Sequence, residues 1–154
     1  MHILEKTLPD NDLGYLRIVA AFWGVELTSP EPAKAVAELA SALCDAELLE
    51  EVISTLPEDA QTALGALADA SGRLPWEVFT RRFGELREMG PGKRDREKPH
   101  LKPISATETL WYRALLARAF FETEKGLQEF AFIPADLFEA LEFIGFKSDA
   151  GDFE

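Results

Sequence analysis

Three helix signals followed by one hairpin signal occupy residues 56–141, and that order restricts the fold more than any other feature of the chain. The first opens at Thr55-Leu56-Pro57-Glu58, where a threonine with a glutamate three residues later matches a capping box. Ala60, Ala63, Leu64, Leu67 and Ala68 then make one apolar stripe, which Ser71-Gly72 ends. Arg73-Leu74-Pro75 leads into a second helix carrying Trp76, Val78, Phe79 and Phe83 and stopping at Gly84. Two short helices joined by a Gly-containing turn open a helix-turn-helix. Ser105-Ala106-Thr107-Glu108 is another capping box, and it starts an apolar helix through Leu110, Trp111, Ala114, Leu115, Ala117 and Phe120.

Phe120–Thr123 and Glu129–Ile133 are β-prone runs around Glu124-Lys125-Gly126-Leu127, the composition of a hairpin. Helix, helix, helix, hairpin is the order of a winged helix. Pro134 starts a closing helix through Leu137, Phe138 and Leu141 toward Ile144. The expected fold is therefore mainly α with a small β-hairpin, a winged helix-turn-helix preceded by a small helical unit.

That preceding unit reads from residues 10–55. Asp10-Asn11-Asp12 can cap a helix running through Leu13, Leu16, Val19 and Trp23 to Gly24. Ser29-Pro30 marks the next start, with Ala33, Val36, Leu39, Ala40 and Leu43 at helical spacing. Asp45 caps a third helix through Leu48, Leu49, Val52 and Ile53. The domain boundaries expected are a small helical unit over 1–55, a winged-helix domain over 56–145 and a flexible acidic tail over 146–154. Within the domain, Gly90-Pro91-Gly92, Pro99 and Pro103 interrupt a charged run, which predicts a long basic loop over 85–104.

With 154 residues, 47% of them hydrophobic, the chain can bury a core without disulfide or metal staples. Cys44 is the only cysteine, so no intramolecular disulfide is possible, and it reads as a small buried hydrophobe in a reducing cytoplasm. The first residues lack the basic start and apolar run of a signal peptide, and no stretch reaches the roughly 18–20 apolar residues of a membrane span. A cytoplasmic protein with no membrane partner is expected.

A net charge of −12 argues against indiscriminate nucleic-acid binding. The charge is unevenly distributed: residues 1–72 hold 3 Lys/Arg against 13 Asp/Glu, whereas residues 81–118 hold 10 against 5. An anionic ligand is expected to meet that central segment.

Catalytic templates are absent. The two histidines, His2 and His100, are far apart in sequence, and no G-x-S-x-G, H-E-x-x-H, C-x-x-C or G-x-G-x-x-G spacing occurs. Gly92-Lys93-Arg94 lacks both the hydroxyl residue after lysine and the distant glycine of a phosphate-binding loop. Carboxylate pairs such as Glu50-Glu51 and Glu58-Asp59 read as solvating and helix-start charges. No catalytic residue, metal site or cofactor is expected.

The suggestive polar feature is the run Lys93, Arg94, Arg96, Lys98 and Lys102, whose flexible side chains suit phosphate contact, although Asp95 and Glu97 interrupt it. A winged helix that reads DNA places base-contacting residues near the start of its third helix. Here Thr107, Glu108, Thr109, Tyr112 and Arg113 hold those positions; Arg113 and Tyr112 suit contact, Glu108 does not, and the remainder of the helix is apolar. Lys125 at the hairpin tip is the last candidate for backbone contact.

Leu13-Gly14-Tyr15-Leu16-Arg17-Ile18-Val19-Ala20 with Trp23-Gly24-Val25-Glu26-Leu27, Leu74-Pro75-Trp76, Arg82-Phe83-Gly84, Met89-Gly90-Pro91-Gly92, Leu110-Trp111-Tyr112-Arg113 and Glu129-Phe130-Ala131-Phe132-Ile133-Pro134 together resemble the N-terminal part of bacterial helicase-associated proteins. That part is similar to the N-terminal domain of XPB-type DNA helicases. The resemblance implies a winged-helix module in a helicase or transcription context; with no ATPase motif present, it does not imply unwinding. A leading expectation and then an alternative to it follow for function. One is a non-enzymatic, DNA-associated winged-helix module using the central basic segment. The other is a protein-protein interaction module or homodimer, a winged helix without DNA contact.

Overall fold

The computed structural model describes residues 3–146. Within them the chain is mainly helical with one small antiparallel sheet. Its elements are α1 (Leu4–Thr7), α2 (Leu13–Trp23), α3 (Pro32–Leu43), α4 (Ala46–Ser54), α5 (Glu58–Asp69), β1 (Arg73–Pro75) and α6 (Trp76–Phe83). There follow α7 (Pro91–Glu97), a 3-10 turn (Pro99–Leu101), α8 (Ala106–Trp111), β2 (Ala117–Thr123), β3 (Gly126–Phe132) and α9 (Ala135–Phe143). Apart from Phe146, the tail expected over 146–154 lies outside the described residues.

Local signals place several boundaries as expected. Asp12 caps α2 by accepting from the Tyr15 N–H, and Gly24 ends that helix at φ +69°, a conformation that favours glycine. Asp45 caps α4 by accepting from the N–H groups of Glu47 and Leu48. α6 stops at Gly84, whose φ of +102° again favours glycine.

Other boundaries differ, each for a physical reason. α3 begins at Pro32 rather than at Ser29-Pro30. Glu31 precedes a proline and is held out of the helical region, so the helix cannot run through it. The Thr55–Glu58 capping box does not form: Thr55 closes α4 by donating to the Val52 carbonyl, and Pro57 holds the N-cap position of α5 with no side-chain cap. The loop expected over 85–104 carries α7 and the 3-10 turn. Gly90-Pro91 is a helix start, since proline suits the first helical position, and α7 stops at Lys98 in the left-handed region just before Pro99.

The third helix is shorter than its apolar pattern predicts. α8 ends at Trp111, Ala114 takes φ +59°, and Ala117 begins β2. Pairing of β2 with β3 from Ala117↔Phe132 to Thr123↔Gly126 overrides the helical preference of that stretch. β3 also pairs with β1, from Arg73↔Phe132 to Pro75↔Phe130, so the strand order is β1-β3-β2 and β2 is an edge strand. A strand of three residues is too short to show alternation in the sequence.

One continuous cluster of buried side chains joins the elements. It draws on Leu4, Leu16, Trp23, Leu39 and Leu49 from the first helices and on Leu64, Phe79, Leu110, Leu115, Ile133 and Leu137 from the remainder. Leu4 N–H donates to the Asp136 carboxylate at 3.0 Å, which ties the start of the chain to α9. No described helix is long and apolar enough to cross a membrane.

Candidate functional site

α8 is where a DNA-reading winged helix would present side chains, and here it is core. Ala106, Thr107, Glu108, Thr109 and Leu110 are all at most 5% exposed. Ser105 caps the helix by accepting from the Glu108 N–H at 3.0 Å and donates its own hydroxyl proton to the Glu85 carbonyl. The Glu108 carboxylate, fully buried, does not complete the capping box. It accepts from the Arg87 guanidinium at 2.7 and 3.0 Å, from the Arg87 main-chain N–H at 2.9 Å and from the Ile104 N–H at 3.1 Å. Burial alone would raise its pKa; these donors together outweigh burial and hold the carboxyl below its ordinary value.

Glu108 thereby fastens both ends of the segment that precedes it. Gly84 adds a constraint at the same place: a Cβ there would collide with the Ser105 Cβ, so the chain needs glycine for the close approach as well as for its φ.

The cations expected to contact phosphate have divergent fates. Arg94 is buried, in a bidentate pair with Asp12 at 2.6 and 2.8 Å, and it also reaches Asp95 at 3.0 Å. The hydrogen bond from Arg94, with its charge, lowers the Asp12 pKa, and the same bond raises that of Arg94. Gly14 permits the pair, because a Cβ at that position would sit 2.6 Å from Arg94 Nη2. Arg113 lies 4.0 Å over the Phe22 ring and donates to the Thr109 carbonyl at 3.0 Å; desolvation lowers its pKa. Arg94 is therefore not a flexible surface contact, which corrects that expectation, and Arg113 is half-buried and held by its own contacts.

The remaining candidates are exposed. Lys93 pairs loosely with Glu97 at 3.7 Å along α7, and Arg96, Lys98 and Lys102 face solvent beside exposed Asp95 and Glu97. Lys125 sits at the hairpin tip between exposed Glu122 and Glu124 on one side and Gly126 on the other. Of the seven candidates, Lys93, Arg96, Lys98, Lys102 and Lys125 are thus exposed, with the exposed carboxylates Asp95, Glu97, Glu122 and Glu124 interleaved among them along the chain.

Between the chain start, the segment 86–89 and the edge strand lies a cleft of about 570 Å³. Its charged lining groups are Lys6, Arg87, Arg94 and Arg118 with Asp12 and Glu88, and Ala117–Ala119 of the edge strand line it too. Arg118 meets Glu88 at 2.7 Å and Glu129 at 3.0 Å while stacking 4.4 Å over the Trp76 ring. The Tyr15 hydroxyl, on the cleft floor, donates to the Trp111 carbonyl at 2.6 Å, and burial raises its pKa. Among the described residues, no group of three His, Cys, Asp or Glu side chains is arranged to hold a metal ion.

Sequence reasoning missed Arg87, Arg118 and the exposed apolar pair on the hairpin, Phe120 (62% exposed) and Leu127 (68%). Strand alternation carried the signal: Arg118, Phe120 and Glu122 share one face with their partners Ala131, Glu129 and Leu127. Comparison of the chain with protein-family models, curated proteins and solved structures returned no match.

Proposed function

We propose that the chain is a non-enzymatic protein-interaction module, built on a winged helix whose third helix no longer reads DNA. The winged-helix reading is supported by the element order α5, β1, α6, α8, β2, β3, into which α7 and the 3-10 turn are inserted between α6 and α8, and by the pairing of β1 with β3 rather than with β2. The interaction reading rests on one observation, the burial of Ala106–Leu110. A helix that contacts base edges must expose the residues of its first turn, and these are inside. The pairing of Arg94 with Asp12 and of Arg87 with Glu108 adds to it, since acidic groups fold over the basic segment. A single cysteine suits the reducing cytoplasm in which we place the protein. The resemblance to helicase-associated regions supports an adaptor role beside a partner that itself handles DNA.

The test is a titration of labelled duplex and single-stranded DNA with the full chain at low salt. The reading expects no binding above that of an inert acidic protein. Association that weakens steeply with salt, with a slope flattened by neutralising Lys93, Arg96, Lys98 and Lys102 together, would return the chain to the DNA-associated class.

A further inference from the structure

We propose that β2 is a self-complementary edge through which two copies of this chain pair antiparallel about a two-fold axis at Phe120. This rests on the interaction reading above and names its partner. Residues Glu124-Lys125 form a two-residue turn, which makes Thr123 and Gly126 a hydrogen-bonded pair. Hydrogen-bonded and non-hydrogen-bonded pairs alternate along an antiparallel ladder. The main-chain groups of Arg118, Phe120 and Glu122 therefore point away from β3. Among the described residues, sheet order leaves that side of β2 without a neighbouring strand, a template for another chain.

A two-fold axis at Phe120 sets Phe120 opposite its copy and Arg118 opposite Glu122 of the second molecule, twice over. All three outward residues then fall in hydrogen-bonded pairs. The side chains match as well: two exposed phenylalanines meet at the centre and opposite charges meet on either side. Axes shifted by one residue set Phe120 against Arg118 or against Glu122 and lose the charge pairs. Beyond the strand, Glu124 at the wing tip falls opposite Leu116, within the cleft that Lys6, Arg87 and Arg118 line. The tip carboxylate thus approaches Lys6, in a cleft whose lining also holds Asp12 and Glu88 and whose arginines are already ion-paired. Arg118 already contacts Glu88, whose side chain is 73% exposed, and Glu129, so Glu122 of the second copy joins an existing ion-pair cluster.

Sedimentation equilibrium of the full chain, from low-micromolar to sub-millimolar concentration, is expected to show a monomer–dimer equilibrium. Phe120→Pro removes an outward N–H that the hairpin does not use, so the fold survives, as circular dichroism will show, and the dimer is lost. Glu122→Arg sets like charges together at two places and is expected to weaken dimerisation about tenfold. In a Cys44→Ser background, Phe120→Cys should form an intermolecular disulfide on mild oxidation, because facing residues of a hydrogen-bonded pair lie about 5.5 Å apart. Glu122→Cys should not, since its copy lies roughly 14 Å away along the strand.

A chain that stays monomeric throughout overturns the proposal, as does a dimer that Phe120→Pro leaves intact or one that cross-links through position 122 and not 120. DNA titration and self-association read different quantities. A monomer that ignores DNA sinks this inference alone, and a dimer that binds DNA sinks the reading beneath it.

Discussion

Arg94 closes on Asp12 from 82 residues further along the chain, with two hydrogen bonds of 2.6 and 2.8 Å between side chains only 6% and 17% exposed. Asp12 is also the cap of α2, so one carboxylate serves the helix start and holds α7 against it. Arg94→Ala is expected to destabilise the fold by about 3 kcal/mol, because it leaves a largely buried carboxylate without its charged partner. In a double-mutant cycle with Asp12→Ala, chemical denaturation should give a coupling above about 1 kcal/mol. Additive effects would refute the pair.

Gly14 lies in the path of that pair. Gly14→Ala places a methyl group within 2.6 Å of Arg94 Nη2, closer than side-chain atoms tolerate. It should destabilise by about 1–2 kcal/mol although alanine favours a helix over glycine. Thermal melting should find the substitution much less costly in an Arg94→Ala background, where the arginine clash is gone and only the exposed Asp95 carboxylate, 2.8 Å from the new methyl, has to move.

Glu108 makes the protein acid-sensitive. Its pKa is lowered in the folded state, so its contribution is fully present above the ordinary carboxylate range and is lost as pH falls through the lowered value. Stability should therefore decline below about pH 4.5. Glu108→Gln should lower stability at neutral pH by about 2–3 kcal/mol and make the acid limb of a melting-temperature-against-pH curve shallower. An acid limb of unchanged slope would exclude this carboxylate as its source.

Thr107 supplies the converse case. Its side chain is fully buried and its hydroxyl oxygen has no hydrogen-bond partner among the described residues. Thr107→Val keeps the shape and removes the unmet polar group, so it should raise stability by about 1 kcal/mol. It should do so without changing any DNA association, since the residue is inside. A lower melting temperature would mean that the hydroxyl serves a purpose.

Helix ends at Gly24 and Gly84, the Asp45 cap, the hairpin and α9 were legible in the sequence, because each depends on residues within a turn or two of one another. α7 was not. Gly90-Pro91-Gly92 reads equally as a turn and as a helix start, and packing of Arg94 against Asp12 accompanies the second outcome. The early end of α8 was hidden for the opposite reason: Ala117 to Phe120 suits a helix, and the ladder with β3 made it a strand.

The order of three helices and a hairpin, with which the chain limits its own fold, is a property of the sequence. Periodicity and caps act over a few residues, so residue order alone carries them. The fate of the charges was decided elsewhere. Lysines and arginines announce their type but not their partners, and Asp12 and Arg94 become neighbours only when α2 and α7 pack together. Low exposure then turns a residue that looked ready for phosphate into one that holds two helices in place.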